Sequence, residues 1–158
     1  MTDIYRVACA AGFSGDRLGV AKPLVQELIR LKGPGCLIFE SLAERTLALA
    51  QLERRQNDQF GYEPLLAEMV APILSDCIRN NIPIVGNFGA ANPSAAAALI
   101  YRIAKEQGIA DIKIAIVEGD DIAGPQFSEV IQNSLSHEDQ TVLNKNTIVS
   151  ANVYLGAR

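Results

Sequence analysis

Ile82-Pro-Ile-Val-Gly86 runs directly into Asn87-Phe-Gly-Ala-Ala-Asn-Pro93, and Ala95 to Ala98 follow. A short apolar run of strand length, a glycine-bearing loop and an Asn-Pro pair form one unit: strand, turn, helix start. Pro83 lacks an N–H and suits the beginning of that strand. Asn92 reads as an N-cap and Pro93 as a first helical residue, with Gly108 closing the helix. The small alanine side chains let that helix sit close to a sheet.

The same unit recurs on either side. Ile4-Tyr-Arg-Val-Ala-Cys-Ala10 reads as a first strand, followed by Ala11-Gly-Phe-Ser-Gly-Asp-Arg17. A helix opening at Pro23 carries Leu24, Val25, Leu28, Ile29 and Leu31 at helical spacing, and Gly33-Pro34-Gly35 stops it. Cys36-Leu-Ile-Phe-Glu40 reads as a second strand, and Ser41-Leu-Ala-Glu44 as a capping box opening a helix through Arg55. A third helix is expected from Pro64 to Asn80, a fourth strand over residues 112–117, a helix from Pro125 to Leu135 and a fifth strand over 147–153. Strands alternating with helices predict a three-layer, doubly wound α/β domain: a mostly parallel sheet of about five strands with helices on both faces. At 158 residues the chain is long enough for one such domain, spanning 1–158.

Composition narrows the function. The net charge is -4 with no basic run, so the positive footprint of a nucleic-acid binder is missing. No apolar stretch is long enough to cross a bilayer, and the first residues lack the pattern of a secretory signal, so a cytoplasmic, non-membrane protein is expected. Three cysteines without close spacing make neither a disulfide framework nor a zinc site. All three read as buried small hydrophobes, with Cys9 the one nearest a loop. His137, in a polar connector, reads as a surface residue, and without G-x-S-x-G there is no nucleophile elbow for it to serve.

In a parallel sheet the carboxyl ends of the strands share one edge, where ligands bind. The loops there hold the candidate site. Gly12 and Gly15 permit close backbone approach, Arg17 offers a guanidinium fork, and Asp16 can orient it; a plain turn with a surface ion pair is the competing account. Glu44 and Arg45 are candidate ligand-binding residues: capping alone would account for Glu44, while Arg45 could reach an anion or pair with Glu40 or Glu44. Asn87, with Gly89 in the same loop, and the helix start at Asn92 are expected to bind an anionic group. Capping alone would account for Asn92, whereas Asn87 is not needed as a cap and is the better candidate for a ligand contact. Glu118, Asp120 and Asp121 are close enough to repel one another. They call for a divalent cation such as magnesium, or for pairing with Arg17 or Arg45, and the arginines are the better match. Asp16, Asp120 and Asp121 are the candidate acid–base residues.

Gly12-Phe-Ser-Gly-Asp-Arg17, Leu42-Ala-Glu-Arg-Thr46, Gly61-Tyr-Glu-Pro64, Asn87-Phe-Gly-Ala-Ala-Asn-Pro93, Val117-Glu-Gly-Asp-Asp121 and Ser150-Ala-Asn-Val-Tyr-Leu-Gly-Ala157 follow one another in that order. Together they resemble the N-terminal domain of the acyclic terpene utilisation (AtuA-type) family, nearly end to end. The resemblance implies a place in the catabolism of acyclic terpenes such as citronellol and geraniol, whose breakdown passes through branched acyl-CoA intermediates. It also implies that the chain is the N-terminal part of a longer architecture. Two readings follow: a protein binding a small anionic metabolite, such as an acyl-CoA, at the strand edge and performing acid–base chemistry; or a non-catalytic subunit or fragment that completes its fold with a partner chain or a second copy. Whether the chain is an enzyme stays open between them.

Overall fold

A computed structural model describes residues 4–135 and 148–155. Three parallel strands form its sheet: β1 (Arg6–Cys9), β2 (Gly35–Phe39) and β3 (Ile84–Gly86), in the order β1-β2-β3. Val7 lies against Cys36 and Ile38 against Val85, so the three strands end together. Among the described residues the sheet therefore has three strands and not about five.

The helices follow from the local sequence. Helix α1 (Ala21–Leu31) buries Ala21, Val25 and Leu28. Pro23 falls inside its first turn, where the missing N–H has no intrahelical partner to lose. Lys32 and Gly33, both at positive φ, end it. Helix α2 (Glu44–Gln56) starts later than the Ser41 pattern predicts, with Ala43 at the N-cap. Thr46 closes the end instead: its Oγ1 accepts from the Ala43 N–H and donates to the Ala43 carbonyl, both at 2.8 Å. The expected third helix is divided into α3 (Leu66–Val70) and α4 (Leu74–Arg79). Pro72 lies between them and can neither donate to the carbonyl four residues back nor avoid its ring's clash with it. Helix α5 (Pro93–Glu106) starts where expected, and a 3₁₀ turn (Pro125–Phe127) leads into α6 (Ser128–Ser134).

The strand order decides how the layers lie. A doubly wound sheet reverses direction partway, which sends right-handed crossovers to opposite faces. Here the order advances steadily from β1 to β3, so the crossovers fall on one side. Ala8, Leu37, Phe39 and Ile84 accordingly point into a core with Val25, Leu28, Ile73 and Cys77. A second cluster, around Leu66, Val70, Ala96, Ile103 and Ala104, continues it beneath α3 and α5. The alternate strand residues face the other way, and Tyr5, Val7 and Val85 are exposed there. The three-layer expectation is thus corrected: among the described residues the sheet is covered on one face.

Residues 112–117 alternate like a strand but belong to no ladder, and Ile114, Ile116 and Val117 are exposed. Alternation marks a segment fit for a sheet, while the ladder itself needs a neighbour in register. Near the expected fifth strand the described residues form an antiparallel bridge between Asp121 and Asn152 and no longer ladder. The Ile122 N–H donates to Ala151 and the Val153 N–H to Asp120 beside it. His137 lies outside the described residues.

Candidate functional site

The strand ends bring three loops and one connector together. The Glu40 N–H donates to the Ala11 carbonyl at 3.0 Å, tying the second loop to the first. Asn87 ties the third loop to the second: its Oδ1 accepts from the Ser41 N–H at 2.8 Å and its Nδ2 donates to Glu40 Oε1 at 2.9 Å. The segment Gly61-Tyr-Glu-Pro64 is held against the third loop, with the Glu63 N–H donating to Phe88 and the Ala91 N–H to Gly61. Gly61 has φ +96°, and a Cβ there would stand 2.8 Å from the Ala50 carbonyl oxygen and from Arg54 Cβ. Only glycine lets this segment lie so close to α2.

At the meeting point is a cavity of about 110 Å³ whose walls include Ser14, Ser41, Thr46, Tyr62, Glu63 and Ala90. Glu63 is only 4% exposed. Its Oε2 accepts from the Ser14 hydroxyl at 2.6 Å and its Oε1 from the Leu65 N–H at 3.2 Å. A carboxylate taken out of water needs such donors, and a bond to a charged group is among the stronger kinds. Among the described residues no basic side chain lines this cavity, and its charged members are Glu53 and Glu63. Ala90, on the rim, sits at φ +46°, a backbone conformation that L residues adopt at a cost.

The residues expected from sequence divide into groups. Asp16 caps its own loop, accepting from the Gly12 N–H at 3.0 Å and the Arg17 N–H at 2.7 Å. Those two bonds, Gly12's first, hold its carboxyl below the ordinary aspartate value. Gly12 is close to Asp16, and Gly15, at φ +78°, turns the loop. The side chains of Arg17, Glu44 and Arg45 are exposed and outside the cavity wall. Gly89 is in the third loop, where a Cβ would meet Pro93 at 2.8 Å. Asn92 is buried, and both its donor hydrogens are used: Nδ2 donates to the carbonyls of Asp58 and Phe60, and Oδ1 accepts from the Ala95 N–H.

The three acids of the fourth loop do not act together. Glu118 accepts from the Ser94 hydroxyl in the first turn of α5, Asp120 from Asn152 Nδ2, and Asp121 from Gln51 Nε2 and the Ala123 N–H. Neither Arg17 nor Arg45 pairs with them; the one ion pair among the described residues is Arg30–Glu27 at 2.6 Å. Nor do the described residues bring together three or more carboxylate, thiol or imidazole groups able to hold a metal ion. Mutual repulsion is relieved by amides and a hydroxyl, each acid with its own donor.

Asp121 instead lines a second cavity, of about 440 Å³, with Gln51, Arg54, Arg55, Ala123, Gly124 and Gln126. Helix α2 stands between the two spaces. Thr46, Leu49, Ala50 and Glu53 look onto the first, Gln51, Arg54 and Arg55 onto the second.

Glu63 and Ser14 are the residues that sequence reasoning did not select. Glu63 follows no strand, and an acid between Tyr62 and Pro64 carries no spacing rule. The Gly61-Tyr-Glu-Pro64 motif, one of those carrying the family resemblance, was the available signal.

Fold and site together define an α/β protein with a parallel sheet and a polar cavity at the strands' carboxyl edge. Within that class the assignment is direct: a family model described as acyclic terpene utilisation family protein AtuA matches residues 5–158, and the chain belongs to that family. Neither the search of curated proteins nor that of solved structures returns a match. No described helix is long and apolar enough to cross a membrane.

Proposed function

We propose that this chain serves acyclic terpene utilisation by binding the end of a small branched metabolite in the strand-edge cavity, with Glu63 as the proton-accepting group. Buried Glu63, held by the part-buried Ser14 hydroxyl, carries this reading. A carboxylate away from solvent, hydrogen-bonded to a hydroxyl and lacking a cation, is poised to take a proton from a bound hydroxyl or an acidic carbon. Leu42, Leu49, Ala50 and Ala90 supply apolar wall and Ser41, Thr46 and Tyr62 polar groups, a mixture suited to a hydrocarbon chain bearing oxygen. At about 110 Å³ the space is far below the roughly 300–1,000 Å³ of a complete ligand pocket, so it takes one end of a molecule. Because the lining charges are acidic, that end is neutral, and any carboxylate or coenzyme A portion stays outside.

Calorimetric titration with geraniol and citronellol tests this. Saturable binding that Glu63→Gln weakens is expected. Glutamine can keep both hydrogen bonds, because the Ser14 hydroxyl can turn to accept, so the variant isolates the charge. Equal binding by wild type and variant would refute the assignment.

A second reading is favoured by the sheet itself. Val7 is 60% exposed on the uncovered face, with Tyr5 in the same edge segment and Val85 exposed on the opposite edge strand. A non-catalytic subunit completing its fold against another polypeptide, whether a partner or a second copy, would present such a face. It predicts concentration-dependent association in sedimentation velocity.

A further inference from the structure

We propose that the cavity between α2 and residues 121–126 is a phosphate-binding site, separate from the strand-edge cavity and taking the phosphate group of a small metabolite. Arg54 and Arg55, neighbours in sequence on α2, both line this cavity, and neither has a carboxylate partner among the described residues. Arg54 Nη1 donates to the Ala91 carbonyl at 2.5 Å, and Arg55 Nη2 to the carbonyls of Ile148 and Val149 at 3.2 and 2.7 Å. Backbone carbonyls fix the two forks in place without neutralising them. Each guanidinium has five N–H donors, so most remain available.

Asp121, the one acid in the wall among the described residues, does not cancel them. Both oxygens of Asp121 are engaged, Oδ2 by Gln51 Nε2 at 3.0 Å and Oδ1 by the Ala123 N–H at 2.9 Å. Two arginines against one aspartate leave the lining with a positive surplus, in a chain whose net charge is -4. A carboxylate has two oxygens and satisfies one fork; a phosphate monoester has three terminal oxygens and can meet two. At about 440 Å³ the cavity is large enough for a phosphate and part of the molecule that bears it. Gln126 and the backbone at Gly124, also in the wall, are placed for the neutral remainder.

The test is calorimetric titration of the full chain with inorganic phosphate, pyrophosphate and coenzyme A, and with acetate as the carboxylate control. Saturable binding of at least one phosphate compound, well above acetate, is expected. Arg55→Gln should weaken it about tenfold, the loss of a charge-assisted fork, and Asp121→Asn should tighten it severalfold by removing the opposing charge. Arg55→Lys, which keeps the charge without the fork, should fall between wild type and Arg55→Gln and guards against a folding defect. Arg45→Gln, outside this cavity, should leave binding unchanged. Preference for coenzyme A over inorganic phosphate would identify a cofactor-like source, and the reverse a small phosphate ester. Binding insensitive to Arg55→Gln, binding weakened by Asp121→Asn, or no saturable phosphate binding at millimolar concentration would each overturn the proposal. None of these outcomes depends on Glu63, so failure here and failure of the strand-edge reading are told apart.

Discussion

Asp16 shows how a residue chosen for chemistry can have its role set by its nearest backbone. Its two oxygens accept the N–H groups of Gly12 and Arg17, which folds the first loop over its own side chain. The folded-state pKa is lowered, so the associated stability is fully present above the unfolded-state pKa and is lost as pH falls through the lowered value. A carbon-detected NMR titration should find this carboxyl below the ordinary aspartate value, and Asp16→Asn should remove the corresponding acid-range loss in melting temperature. A normal or raised value would contradict the loop geometry. Asn87 shows the reverse case. Sequence reasoning leaves it free for a ligand, yet it bonds to Ser41 and Glu40, 46 and 47 residues away in the chain. Contacts that long in sequence have no local signature. The same limit explains Ser41, read as a helix cap from a four-residue pattern and found bonding the third loop. Cys9 was read as buried and is exposed, while Cys77 lies in the core, where burial pushes its thiol up to about 11.

At the scale of elements, legibility follows how local the determining physics is. The starts and stops of α1 and α5 were visible in Pro, Asn and Gly, because caps and breakers act within a turn. Strands β1 to β3 were visible as apolar runs between such signals. The division of α3 from α4 was equally local, since Pro72 was there to be read as a break. Residues 112–117 were not decidable, because pairing depends on a neighbouring edge that composition does not reveal. The passage of residues 61–64 over α2 yields a prediction at this scale. Gly61→Ala places a methyl 2.8 Å from the Ala50 oxygen in a left-handed conformation, at a cost of about 1–3 kcal/mol. Chemical denaturation should show that loss. An unchanged midpoint would mean that the segment does not pack on α2 as described.

At the scale of the molecule, the sheet that is covered on one face among the described residues is the feature with most consequence. The expectation of helices on both faces rested on alternation of strand and helix, which fixes the parallel sense but not the strand order. Order β1-β2-β3 leaves Tyr5 and Val7 exposed at one edge of that face and Val85 at the other. Val7→Lys should therefore reduce self-association in sedimentation velocity without lowering the melting temperature, since the side chain is outside the core. Unaltered association, or a marked loss of stability, would show that the face is not a contact surface. The family assignment belongs to this scale too, because it rests on a match over residues 5–158 and not on any one loop.

The most direct measurement is an amide chemical-shift map of the isotopically labelled chain titrated with citronellol. The account predicts saturable shifts concentrated at Ser14, Ser41, Tyr62, Glu63 and Ala90, and their loss in Glu63→Gln. Shifts scattered over the surface, centred on the exposed sheet face, or unaffected by Glu63→Gln would contradict it.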